Sequence, residues 1–150
     1  MCDNPYHVFL IDDDEDDRDL FEDALMEIPT KTRVVTFGSG IELFNFIKDE
    51  NNQPPQIIFL DLNMPMMSGE ECLQKIRENP RFRNLPVVIF STSIVDPLVN
   101  RVKSLGASLY VKKPSSFSSL KSILESCITA LLENEIKIGV ELDFIVKENL

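Results

Sequence analysis

Acidic side chains are the first chemical signal in this chain. Residues 12–17 are six consecutive acids, and they follow an apolar run, 8–11, with no spacer. Adjacent carboxylates repel one another and hold their protons more tightly unless a cation or hydrogen-bond donors relieve them. A further acid, Asp61, follows the apolar run 57–60 and opens the stretch "DLNMPMMSG". The hydroxyl of Ser91 follows the run 87–90, and Lys113 follows the weaker run 109–111, immediately before Pro114. Clustered carboxylates are all-oxygen ligands of the kind that suits Mg²⁺, a hard cation that keeps several of its waters. A carboxylate beside such a metal, with a hydroxyl and a lysine aimed at the same spot, meets the requirements of phosphoryl transfer to a carboxylate. Those are a nucleophile, a metal that spreads charge, and donors for the equatorial oxygens.

These groups meet only if the chain places the ends of its apolar runs side by side. The runs 8–11, 34–37, 57–60, 87–90 and 109–111 read as buried strands of a parallel sheet. Segments of helical periodicity separate them: Leu20, Phe21, Ala24, Leu25 and Ile28 share one face, and Leu120, Ile123, Leu124, Cys127 and Ile128 share another. Pro29 ends the first helical segment, Pro86 opens the fourth strand, Pro97 stands at a helix start and Gly106 ends that helix. Strand alternating with helix five times predicts an α/β fold of flavodoxin-like (βα)5 type, a five-stranded parallel sheet in the order 2-1-3-4-5. In such open sheets ligands bind beyond the carboxyl ends of the strands. The second strand is followed by Gly38, Ser39 and Gly40, with no ionisable group, as suits an edge strand. Strands one and three then lie together at the centre, and Asp12, Asp13 and Asp61 share one crevice.

Composition narrows the partners. A chain of 150 residues, 43% hydrophobic, is the size of one domain with a real core. Its formal charge of -10 repels a phosphate backbone, so direct nucleic-acid binding is not expected. No apolar run approaches the roughly 20 residues of a membrane span, and "MCDNPYH" lacks a signal-peptide pattern, so a cytoplasmic protein is expected. Cys2, Cys72 and Cys127 have no CxxC spacing and read as reduced thiols.

Four motifs fall in order at the ends of the expected strands: Asp12 with Asp13, the "DLNMP" loop with Gly69 eight residues after Asp61, the hydroxyl Ser91, and the pair Lys113 and Pro114. Through them the chain, over residues 6–132, resembles the CheY-like receiver domain of bacterial two-component response regulators. The resemblance implies that Asp61 accepts a phosphoryl group from a sensor histidine kinase or a histidine phosphotransfer protein. It implies a Mg²⁺ held by Asp13, by Asp12 through water, by Asp61 and by the backbone carbonyl of Asn63. Lys113 and Ser91 would contact the phosphoryl group, and Ser91 and Tyr110 would form the switch, Tyr110 turning inward on activation. It also implies a cis Lys113–Pro114 bond. Such a protein catalyses only its own phosphorylation and dephosphorylation, and with no output region in the sequence it signals as a single domain through a downstream protein. Ser91 and Thr92 stand where many receivers have threonine and a smaller residue.

Other readings compete for the same residues. Asp14, Glu15, Asp16 and Asp17 suit a helix start, where acids cap the first turn and favour the positive end of the dipole. Taken singly, Ser91 reads as a turn hydroxyl, Lys113 as a surface lysine, Tyr110 as a half-buried strand residue and His7 as structural or exposed. Asp12, Asp14 and Asp16 have early EF-hand spacing, but Asp17 stands where glycine is needed and Asp23 where a bidentate glutamate is usual. A haloacid-dehalogenase-type phosphatase with Asp12 as nucleophile is the enzymatic alternative, and it leaves the "DLNMP" loop unexplained. A non-phosphorylated, receiver-like binding platform is the third. Residues 133–150 form a C-terminal extension in which Ile136, Ile138, Val140, Leu142, Phe144 and Val146 alternate with mostly polar residues, interrupted by Ile145. That pattern predicts a strand packed on the fifth-helix region and contributing to a homodimer.

Overall fold

Alternation of apolar runs with amphipathic segments resolves, in this computed structural model describing residues 4–133 and 144–146, into β1 (Tyr6–Ile11), α1 (Glu15–Glu27), β2 (Thr32–Phe37), α2 (Gly40–Ile47), β3 (Ile57–Leu60), α3 (Gly69–Glu78), β4 (Val87–Ser91), α4 (Asp96–Ser104), β5 (Leu109–Lys112), α5 (Phe117–Ile128) and β6 (Ile145–Val146). A π-helical stretch, Thr129–Glu133, continues α5. The strands lie in the order β2-β1-β3-β4-β5-β6, and every neighbouring pair is parallel.

Period-two alternation sends the strand residues to two cores, one on each face of the sheet. Phe9, Ile11, Ile58, Leu60, Val87, Ile89 and Tyr110 pack with α2, α3 and α4. Val8, Leu10, Ile57, Phe59, Val88 and Phe90 pack with α1 and α5. The stretches 8–11, 57–60 and 87–90 of the central strands are therefore apolar at every position, as a sheet covered on both faces requires. Asp14, Ser39, Ser68 and Ser116 each accept a backbone N–H of the first turn of the helix they precede. Each such cap contributes about 1 kcal/mol. Helix α4 has no side-chain cap and starts with Pro97 in its first turn instead. Gly106, at φ 102°, ends it in a conformation that other residues reach only with strain.

Three expectations need correction. Leu20, placed by periodicity on the buried face of α1, is 47% exposed, because the helix turns Phe21, Ala24 and Leu25 inward and leaves Leu20 at the margin. The sheet has a sixth strand. Ile145 and Val146 pair with Tyr110 and Val111 on the β5 edge, and Tyr110 N–H donates to the Phe144 carbonyl at 2.7 Å. An edge strand carries unpaired backbone donors and acceptors, so it captures an extended segment more readily than a helix surface does. Phe144 and Ile145 join the core under α2, α3 and α4, while Val146 reaches the core under α1 and α5. Residues 136–143 of the expected strand lie outside the described residues. The third correction concerns Lys113–Pro114, which is trans. Lys113 N–H donates to the Ser91 carbonyl at 2.8 Å, prolonging the β4–β5 ladder, so the lysine arrives in the crevice without a cis bond.

Candidate functional site

The carboxyl ends of β1, β3, β4 and β5 converge on one crevice because these strands are neighbours in register. Ile11 pairs with Leu60, Leu60 with Ile89, and Ser91 with Lys112, so the residues that follow or end each strand face one another. Asp12, Asp13 and Asp61 each offer a carboxylate oxygen, all within 4.8 Å of one another. Asp12 is fully buried and Asp61 is 4% exposed, whereas Asp13 is exposed.

Such burial is costly for charged groups, and the protonation equilibria register it. Burial drives the Asp61 carboxyl up to about 6; Lys113 opposes the shift, and the repulsion of Asp12 and Asp13 adds to it. Asp12 is raised as well, by burial first, against hydrogen bonds from Lys113 and from the backbone of Asp14. Lys113 Nζ lies 2.8 Å from Asp12 Oδ2, 2.9 Å from Asp17 Oδ2 and 3.9 Å from Asp61 Oδ2. Burial lowers the lysine's affinity for its proton, but the carboxylates outweigh it and the net shift is upward. One lysine thus faces three buried or clustered carboxylates and cannot neutralise them all. The donor set consists of oxygens with net negative charge, which fits a hard divalent cation.

The loop that carries Asp61 is held by close backbone packing. Met66 adopts a φ of 69°, unusual outside glycine, and Gly69 N–H donates to the Leu62 carbonyl at 3.0 Å. A Cβ at Gly69 would sit 2.3 Å from the Asp61 carbonyl oxygen, so glycine is required by contact. Asn63 N–H donates to Asp61 Oδ1 at 3.4 Å, which places the Asn63 backbone beside the Asp61 carboxylate.

On the far side, Ser91 is fully buried at the end of β4, and its Oγ accepts the Ser93 N–H at 3.4 Å. Tyr110 is fully buried, and its hydroxyl donates to the Ser93 carbonyl at 2.5 Å. Burial raises the Tyr110 pKa against a hydrogen bond with Ser91. The ring already points inward in this structure.

The site therefore gathers Asp12, Asp13, Asp61, Ser91 and Lys113, with Asn63 and Tyr110 at its borders. Two residues escaped the sequence reading. Asp17, expected only to charge the start of α1, reaches Lys113, and Arg18 donates from its guanidinium to the Asp12 carbonyl at 2.7 Å. Helical spacing could have flagged them, since positions 17 and 18 stand one turn past the N-cap Asp14 and lean back toward it. His7 lies near the start of β1, at the opposite end of the sheet. Cys72 and Cys127 are buried free thiols whose pKa values burial pushes up to about 12, which leaves them unreactive.

Known proteins resemble this chain in sequence and fold. A response regulator receiver domain family model matches residues 8–125. The two-component response regulator ARR5 of Arabidopsis thaliana is 31% identical over 131 residues, covering 83% of this chain and 71% of that protein. Among solved structures, a phosphorylated cyanobacterial phytochrome response regulator, RcpA, superposes with a TM-score of 0.79 at 29% identity, covering 87% of this chain and 96% of its own. The Mn²⁺-bound form of response regulator Rcp1 superposes with a TM-score of 0.76 at 25% identity, covering 92% and 100%.

Proposed function

Because the chain belongs to the response regulator receiver domain family, we propose that within two-component signalling Asp61 accepts a phosphoryl group from a phosphohistidine. The observation that carries this reading is the convergence of three carboxylates within 4.8 Å, with Lys113 3.9 Å from Asp61. An Asp61 oxygen forms a bond to phosphorus as the phosphorus–nitrogen bond of the donor breaks, and the imidazole nitrogen keeps the electron pair. Asp12, Asp13, Asp61 and the Asn63 carbonyl would hold Mg²⁺, which when bound supplies positive charge to the oxygens of the transferred group. The Mn²⁺-bound relative supports a divalent ion at such a site, and the phosphorylated relative supports the acceptor chemistry. Lys113 and Ser91 donate to the phosphoryl oxygens. Ser91 and Tyr110 report the change, since the Tyr110 hydroxyl holds the Ser93 carbonyl in the loop after β4.

The proposed donor is a sensor histidine kinase or a histidine phosphotransfer protein in the cytoplasm, and the output is contact with a downstream protein. Residues 6–132 are the receiver and 133–150 an extension through which two copies associate. Acetyl phosphate with Mg²⁺ should add one phosphoryl group per chain by intact mass, and neither Asp61→Asn nor the EDTA-treated protein should gain it. Labelling that survives Asp61→Asn would refute the assignment, and sustained turnover of p-nitrophenyl phosphate would favour the phosphatase reading with Asp12 as nucleophile.

A further inference from the structure

Asp17 has a partner that its place in a run of helix-capping acids gave no reason to expect. The Lys113 ammonium bonds Asp12 Oδ2 at 2.8 Å and Asp17 Oδ2 at 2.9 Å, while Asp61 Oδ2 stands at 3.9 Å. A charge-assisted hydrogen bond between nitrogen and oxygen spans about 2.7–2.9 Å. The lysine therefore bonds both α1-side carboxylates and not the acceptor. These two anchors differ. The Asp12 side chain is 1% exposed and accepts the Asp14 N–H at 3.0 Å, so it is part of the crevice floor. The Asp17 side chain is 36% exposed and sits on the first turn of α1.

We propose that Asp17 is a positioning residue that parks Lys113 on the α1 side of the crevice, so that the lysine gives up the Asp17 contact to reach a phosphoryl oxygen on Asp61. The proposal rests on the reading of Asp61 as phosphoacceptor. A lysine has three donors on a flexible stem, so it can keep Asp12 while exchanging Asp17 for a new oxygen. Asp17 thereby weakens the modified state, and removing its charge strengthens it. A purely structural strap between α1 and the end of β5 would behave differently: its loss would lower stability and leave the acceptor chemistry unmoved.

The test uses beryllofluoride, a phosphoryl mimic, titrated in Mg²⁺ and followed by NMR, with urea denaturation of each variant alongside. Asp17→Asn should bind it about two- to fivefold more tightly, the range of a partly exposed ion pair. Asp17→Glu should restore the wild-type affinity, and Asp17→Asn should have no effect in a Lys113→Ala background. A crystal structure of Asp17→Asn should bring Lys113 Nζ within hydrogen-bond distance of Asp61. Unchanged or weaker binding in Asp17→Asn, or a gain that persists without Lys113, would overturn the proposal. If the wild-type chain neither binds beryllofluoride nor takes a phosphoryl group, the acceptor reading itself fails. The Lys113 position in Asp17→Asn then decides the anchor alone, and a lysine that has not moved overturns it.

Discussion

Replacing Asp61 by asparagine should make the metal-free protein more stable at neutral pH, although it removes the residue on which the proposed function depends. The carboxyl is 4% exposed, and burial, with repulsion from Asp12 and Asp13, moves its pKa from 3.8 to about 6 against the attraction of Lys113. The folded-state value lies above the unfolded one, so between about pH 4 and pH 6 the folded chain keeps a proton that the unfolded chain has lost. Stability on this account is greatest below that window, falls as pH rises through it, and carries the full penalty above. A displacement of about two pH units corresponds to roughly 2–3 kcal/mol. Asparagine matches the shape and still accepts the Asn63 N–H, but has no charge to bury. Urea denaturation in EDTA should therefore show Asp61→Asn more stable than wild type by about 1–3 kcal/mol near pH 7, the difference shrinking toward about pH 4.5. Added Mg²⁺ should stabilise the wild type more than the variant, since binding to the folded state alone raises stability. A variant less stable than wild type near pH 7, or a difference independent of pH, would refute the argument.

Three further substitutions probe the scaffold around Asp61. Gly69→Ala places a Cβ 2.3 Å from the Asp61 carbonyl oxygen and 2.6 Å from Leu62 Cα, both backbone atoms, and should cost about 1–3 kcal/mol in urea denaturation. Gly38→Ala, whose nearest obstacle is the flexible Glu42 carboxylate at 2.9 Å, should stay within about 0.5 kcal/mol, and equal stabilities for the two variants would contradict the close-approach reading. Tyr110→Phe removes the hydroxyl that donates to the Ser93 carbonyl and should cost about 0.5–1.5 kcal/mol, with faster amide exchange in residues 92–95. Unaltered stability and exchange would show that the tyrosine does not hold that loop.

Much of the fold was legible because a sheet covered on both faces imposes a short-range code. Four-residue stretches that are buried on both faces and apolar at every position stand out as runs, and 57–60 and 87–90 did so almost to the residue. Helix starts were legible where the signal is chemical, as at Asp14 and at Pro97. The margin of a helix face is less sharply encoded. Leu20 is apolar and adjacent in sequence to Phe21, yet α1 has enough apolar residues on its inner stripe that Leu20 is left 47% exposed. Strand β6 is short, and only its pairing with the β5 edge defines it. Alternation predicted an extended chain there, but nothing local to Ile145 and Val146 says which surface receives them.

The site shows the same division more sharply. Asp12, Asp61, Ser91 and Lys113 could be found because each follows or ends an apolar run, and in a parallel sheet that place alone sends a side chain to the crevice. Asp17 could not be found that way. It lies on a helix, its neighbours Asp14, Glu15 and Asp16 are acids of the same type, and helix-start acids have a sufficient reason to exist without any partner. What distinguishes it is a lysine 96 residues away in the chain, delivered by a backbone bond from Lys113 to the Ser91 carbonyl and a trans Lys113–Pro114 peptide. The acids of the run thus separate by geometry rather than by type: Asp12 and Asp13 line the crevice around Asp61, Asp14 caps α1, and Asp17 competes with Asp61 for one ammonium. That competition is why a single substitution at Asp17, outside the carboxylate cluster, should alter how tightly the crevice around Asp61 holds a phosphoryl mimic.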